Sequence, residues 1–279
     1  MKKLRILPLI MAVIMSAACF TGCEKKGEMR DMTTAEIVND MGVGINLGNT
    51  FESSGMSLSS VKAYETSWGS PTITQKMIQG YADSGFGVLR VPVAWSNLMT
   101  GNYDIDPDYL ARVTEVIDWA LDTGMYVIVN IHWDGGWFSR FANEEDRDEC
   151  MYKYERIWTQ LSDHFKNYSD YLMFESLNEE GGWEEIWNRY SGEGDKELSF
   201  GILNDINQKF VDIVRNSGGN NKKRHLLIAG YNTDVELTCD ELFKMPDDPA
   251  GRCAVSIHYY TPSTFAILDK DASWGKARS

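Results

Sequence analysis

Apolar residues along this chain fall into two alternating patterns, short solid runs and helical stripes. Val43-Gly-Ile-Asn-Leu47 reads as a first strand, closed by Gly48-Asn49-Thr50. Ile73, Met77, Ile78 and Tyr81 recur at helical spacing and stop at Gly85. Gly87–Val93 reads as a second strand. Asp106-Pro107 is a helix start, with Leu110, Val113, Ile117 and Ala120 expected inward and Gly124 as the stop. Met125–Ile131 is a near-continuous apolar run, as a parallel strand covered on both faces requires. Tyr154, Ile157, Trp158, Leu161 and Phe165 form a further helical face. Tyr171–Phe174 begins a fourth strand, which runs into the polar pair Asn178-Glu179. Leu203, Ile206, Phe210, Ile213 and Val214 give another helix, ended by Gly218-Gly219. His225–Ala229 and Cys253–Ile257 are strands five and six.

Strand and helix in strict alternation leave two architectures, an open doubly wound sheet or a closed (β/α)8 TIM barrel. The first strand-to-helix turn lacks the Gly-x-Gly-x-x-Gly pattern of a dinucleotide site. Polar residues close nearly every strand rather than one switch point, which favours the barrel. Only about six of the eight βα units are found, so residues 35–279 are expected to form an incomplete barrel domain, without a composition break inside it.

Composition narrows the class. The 279 residues carry a formal net charge of −14, which disfavours nucleic acid and anionic lipid as partners. There are nine Trp residues, and a Trp not needed for packing often serves as a flat stacking surface. Residues 1–22 read as a signal peptide: Lys2, Lys3 and Arg5 precede an apolar stretch, Ile6 to Ala18, too short for a stable membrane anchor. Phe20-Thr-Gly-Cys23 resembles a lipoprotein signal with lipidation at Cys23; ordinary cleavage after Ser16-Ala-Ala18 is the alternative. Residues 23–34 then form a tether, and the protein is expected to be exported, meeting the membrane only through that lipid. Cys150, Cys239 and Cys253 have no metal-site spacing and are expected as buried thiols. No cofactor and no metal are expected.

Candidate chemistry gathers at the strand ends. Arg90 interrupts an apolar strand and needs a partner there. His132, Asn178, Glu179, His258 and Tyr260 each follow the end of a strand. A barrel brings such residues to one face. At the rim of an apolar interior, the pKa of Glu179 is expected to be raised into the range of a general acid.

In Gly44-Ile-Asn-Leu-Gly-Asn-Thr50, Arg90-Val-Pro-Val-Ala-Trp95, Val127-Ile-Val-Asn-Ile-His132, Phe174-Glu-Ser-Leu-Asn-Glu179 and His258-Tyr-Tyr260, taken in order, the sequence resembles glycoside hydrolase family 5, in its endoglucanase and xyloglucanase branch. The resemblance runs from about Thr34 to the end. It implies a retaining endo-β-1,4-glycanase acting on a β-linked polysaccharide such as cellulose, xyloglucan or a related glycan. Glu179 would be the acid/base, and Asn178 would bond the sugar 2-hydroxyl. Arg90 and Tyr260 would hold the nucleophilic carboxylate, with His132 and His258 in support. Trp68, Trp95, Trp133, Trp137, Trp183 and Trp274 are candidates for stacking on sugar rings, core packing being the other use of each. Two positions depart from the family pattern: Trp133 stands where a second His is common, and Glu180 where Pro is usual. The family's nucleophilic Glu closes strand seven, and no Glu follows Glu241. The nucleophile is therefore expected beyond the end of this chain, which alone is expected to be inactive. A glycan-binding surface lipoprotein of the same fold is the alternative. A metal-dependent hydrolase using His132, Glu179 and His258 is a weaker rival, since strand one offers no further ligand.

Overall fold

A computed structural model describes residue 27 and residues 29–267. The signal segment, Cys23 and Trp274 lie outside the described residues.

Six strands form one parallel sheet in chain order: β1 (Gly44–Asn46), β2 (Val88–Val91), β3 (Tyr126–Asn130), β4 (Leu172–Glu175), β5 (Leu226–Ala229) and β6 (Cys253–Ser256). All six were expected from the apolar runs. Five are one to three residues shorter than their runs, and β4 keeps the length of its run but is shifted by one residue to end at Glu175. α1 (Thr34–Met41) precedes β1, and between the strands lie α2 (Val61–Thr66), α3 (Gln75–Asp83), α4 (Pro107–Asp122), α5 (Arg147–Phe165), α6 (Lys196–Asn216) and α7 (Val235–Thr238). This is six consecutive strands of a (β/α)8 barrel. Among the described residues β1 pairs only with β2, and β6 only with β5.

Helix starts follow local chemistry. The Asp106 carboxylate accepts the amides of Asp108 and Tyr109 at 2.9 and 3.1 Å and caps α4, with Pro107 in its first turn. The buried stripe of α4 is Tyr109, Val113, Val116, Ile117, Ala120 and Leu121. Leu110, expected inward, is only partly buried. Val113, Ile117 and Ala120 are buried as expected, and in the first turn the buried place goes to Tyr109, which donates its hydroxyl to the Phe51 carbonyl at 2.8 Å.

Side chains alternate across the sheet. Leu89, Val91, Val127, Val129, Leu172, Phe174, Leu226 and Ile228 face the helices and make the main core. Val88, Tyr126, Ile128 and Met173 face the inside of the curve. There Ile37 and Met41 of α1 pack against them and plug the bottom of the barrel. Above that apolar layer the inward positions become polar: Asn46, Arg90, Asn130, Glu175 and Ser256. The change of polarity puts a polar cleft at the C-terminal ends of the strands.

Arg224 holds the opposite end. Fully buried beside Phe174, it donates to the carbonyls of Phe165, Tyr168, Ser169 and Leu172 at 2.6–3.0 Å. One side chain thus satisfies the end of α5 and the entry to β4.

Candidate active site

A cleft of about 550 Å³ opens at the C-terminal ends of the strands, and Arg90, His132, Asn178, Glu179, His258 and Tyr260 all line it. The local fold after β4 explains two of these. The Ser176 hydroxyl donates to Asn207 Oδ1 of α6 at 2.7 Å and accepts the Ala229 amide at 3.0 Å. Tyr154 of α5 donates to the Ser176 carbonyl at 3.0 Å, and Leu177 is fully buried. With Ser176 and Leu177 pinned behind the sheet, Asn178 and Glu179 emerge into the cleft.

Arg90 does find a carboxylate, and it is Glu175, the last residue of β4. Nε and Nη2 of Arg90 stand 2.8 and 2.6 Å from Glu175 Oε2. Nη2 also donates to Asn178 Oδ1 at 3.0 Å, and Nη1 to Asn46 Oδ1 at 3.3 Å. The nucleophile that Arg90 was expected to hold was placed beyond the end of this chain; among the described residues the guanidinium serves Glu175 and two amides.

Asn130 donates its amide to Glu175 Oε2 at 2.8 Å and to His132 Nδ1 at 3.3 Å. Nδ1 must therefore accept, which leaves the ring proton on Nε2. Burial, helped by the Arg90 charge, pushes the His132 pKa down to about 3. His132 is a neutral donor on the cleft wall.

Glu179 is half-exposed, and its Oε1 lies 2.5 Å from Nδ1 of His258. That bond outweighs burial and holds the carboxyl below its ordinary range. The raised pKa expected from the rim position is corrected here: the carboxyl leans on an imidazole, not on an apolar wall. His258 is itself placed by its backbone amide, which donates to the Thr233 carbonyl at 2.8 Å. The Tyr260 ring meets His258 edge-on at 6.3 Å and stands half-exposed between this cleft and a neighbouring one that Glu179 also lines.

The tryptophans divide. Trp133 is 47% exposed and Trp68 41%. Trp133 is the centre of a tight turn at φ 47°, ψ −41°, closed by a hydrogen bond from the Asp134 amide to the His132 carbonyl. Trp95, Trp137 and Trp183 are buried and cannot stack on a sugar. Their indole N–H groups donate to the Asn130 carbonyl at 2.9 Å, to Asp134 Oδ2 at 2.7 Å and to the Phe138 carbonyl at 2.9 Å. Cys150 is buried as expected, but Cys239 is exposed and Cys253 partly so, and all three are free thiols.

Four residues around the cleft carried no expectation. Glu175 and Asn130 close strands β4 and β3, and the only signal was polarity at these inward positions, which stand opposite each other in register. Ser256, on β6, donates to Glu175 Oε1 at 2.7 Å. Glu52 is buried in the loop after β1, and its carboxylate accepts the amides of Asn49 and, at 2.9 Å, Thr50. Burial nevertheless raises its pKa. Glu180, where the family pattern has Pro, is pushed up to about 8 by burial and by the negative charges of Glu179 and Asp134. Among the described residues no three His, Cys, Asp or Glu side chains are grouped to hold a metal ion.

The chain matches known proteins over most of its length. The profile described as Cellulase (glycosyl hydrolase family 5) matches residues 48–277. Endoglucanase A of Paenibacillus barcinonensis is 35% identical, with 91% of this chain and 66% of that protein aligned. The xyloglucan-specific endo-β-1,4-glucanase BoGH5A of Bacteroides ovatus is 37% identical, over 89% of this chain and 50% of that protein. Among solved structures, a family 5 lichenase from Caldicellulosiruptor sp. F32 superposes with a TM-score of 0.79 at 35% identity, covering 88% of this chain and 68% of that one. A broad-specificity endoglucanase from an uncultured bovine rumen ciliate gives a TM-score of 0.74 at 38% identity, covering 85% and 63%. The chain thus spans half to two thirds of the length of these curated relatives. By its sequence profile, its parallel strands and its cleft, the chain belongs to the cellulase family, glycosyl hydrolase family 5.

Proposed function

We propose that the cleft binds a β-1,4-linked glucan, plain or xyloglucan-like, and that Glu179 is the acid/base of a retaining endo-glycanase. The observation that carries this is the meeting of Glu179, His258, His132, Asn178 and Arg90, from four different strands, on one solvent-open wall. Glu179 would protonate the leaving glycosidic oxygen and later activate water. Asn178 would bond the 2-hydroxyl, a bond that strengthens as positive charge develops on the sugar. His132, neutral and donating from Nε2, would take a further hydroxyl. Tyr260 and Trp133 would border the sugar track. The relatives' names, endoglucanase and xyloglucan-specific glucanase, support the substrate class.

A retaining pair needs a second carboxylate about 5 Å from the first. Of the other two carboxyls on the cleft wall, Glu175 is clamped by Arg90, Asn130 and Ser256, and Glu52 by backbone amides. The nucleophile of this proposal therefore lies outside the described residues. A carboxylate arriving near Glu179 would also raise its pKa by like-charge repulsion, bringing it toward the range of a general acid.

Calorimetric titration of the 279-residue chain with cellotetraose, a xyloglucan oligosaccharide and maltotetraose tests the reading. Binding of the first two, weakened by Asn178→Ala and His132→Ala, is expected. Binding of none of them, or of the α-linked sugar equally well, would overturn it. Export and lipidation at Cys23 belong to the same proposal, on the strength of residues 1–23. Palmitate labelling in a bacterial host, lost in Cys23→Ala, is the expected result; equal labelling of the variant would refute it.

A further inference from the structure

We infer that Glu175 is a positioning residue for sugar recognition: acting through Arg90, it turns the amides of Asn178 and Asn46 so that their NH2 groups face the cleft. This rests on the carbohydrate reading and adds a residue to it.

Glu175 is 2% exposed, and both its oxygens are engaged. Oε2 accepts from Arg90 Nε at 2.8 Å and from Asn130 Nδ2 at 2.8 Å, and lies 2.6 Å from Arg90 Nη2. Oε1 accepts from Ser256 Oγ at 2.7 Å. A carboxylate so fully occupied is not a reacting group. Its position is fixed from β2, β3 and β6, so it holds Arg90 in one orientation.

That orientation has a consequence for the cleft. Arginine only donates, so the end of an amide that meets it must be the oxygen. Arg90 Nη2 meets Asn178 Oδ1 at 3.0 Å, and Nη1 meets Asn46 Oδ1 at 3.3 Å. The NH2 group of each amide is thereby directed away from Arg90. Both residues line the cleft, so each presents a donor there before any sugar arrives. With Glu175 neutral, the guanidinium loses the charge that aims it, and the amides are free to flip and offer oxygen instead.

The test uses the 279-residue chain, cellotetraose and the set of its mono-2-deoxy analogues, each lacking the 2-hydroxyl of one glucose. Wild type should bind one of these analogues about 3- to 10-fold more weakly than cellotetraose, the size of one lost hydrogen bond. Glu175→Gln should bind cellotetraose more weakly by a similar factor and no longer distinguish that analogue. Arg90→Lys should do the same, since one ammonium against Glu175 cannot also serve two amides. That variant decides the matter should Glu175→Gln fail the thermal-unfolding check. A variant that loses affinity for every analogue in equal proportion, keeping the wild-type discrimination, would overturn the inference and leave the carbohydrate reading intact. A wild-type chain that binds no β-1,4-glucan oligosaccharide would overturn both.

Discussion

Arg90 Nη2 on β2 and Glu175 Oε2 on β4 lie 2.6 Å apart, with β3 between their strands. The pair crosses the inside of the barrel curve just above its apolar layer. Glu175 is nearly inaccessible and Arg90 mostly covered. Breaking a pair of this kind leaves an uncompensated charge in a poorly solvated place. Glu175→Ala should therefore cost about 3–5 kcal/mol of folding stability, measured by urea unfolding. A loss below about 1 kcal/mol, the scale of an exposed pair, would show that the clamp holds nothing.

The carboxylates on the cleft wall set a second expectation. With Glu175 and Glu52 tied into their own hydrogen bonds, Glu179 has no partner there that could attack a sugar. The purified 279-residue chain should release no reducing sugar from carboxymethylcellulose or xyloglucan above background. Turnover that Glu179→Gln abolishes would refute this and would call for a nucleophile within these residues.

How much of this was legible beforehand follows from what parallel strands do. Their tips share one face, so the order Arg90, His132, Asn178-Glu179, His258, Tyr260 was enough to predict a common cleft. Glu175 and Asn130 were not legible, because they belong to strands whose inward face turns polar only near the top. That shows only when registers are known: Asn130 stands opposite Glu175 across the β3–β4 ladder. Glu52 was hidden because its partners are backbone amides of an irregular loop. Trp95 was misread as a stacking candidate because nothing local reveals that Tyr109 of α4 covers its ring, at 5.9 Å between centroids. The lowered pKa of Glu179 depends on His258, 79 residues away.

Two tryptophans four residues apart should behave oppositely. Trp133 is exposed beside His132, and Trp137 is buried against Phe138 at 3.9 Å between ring centroids. Trp133→Ala should leave the unfolding midpoint nearly unchanged and weaken cellotetraose binding by roughly 1–3 kcal/mol, if a sugar face takes the place of a stacked ring. Trp137→Ala should cost about 3–5 kcal/mol of stability. The reverse pattern would remove Trp133 from the sugar track.

Glu180 gives a pH signature. Its pKa in the folded chain is pushed up to about 8 from an ordinary 4.5. Between those values the folded state binds more protons than the unfolded one, so this group lowers stability as pH rises from 4.5 to 8. Glu180→Gln removes that penalty. The variant should match wild type near pH 4 and be more stable at pH 9, on the order of 1–3 kcal/mol. Equal stability at both pH values would mean that the carboxyl is well solvated.

The most direct test is a crystal structure of the 279-residue chain soaked with cellotetraose. The account predicts a sugar across the strand tips, with a glycosidic oxygen within hydrogen-bond distance of the Glu179 carboxyl and a 2-hydroxyl on Asn178 Nδ2. An oligosaccharide bound elsewhere on the surface, or an Asn178 amide that turns its oxygen to the sugar, would contradict it.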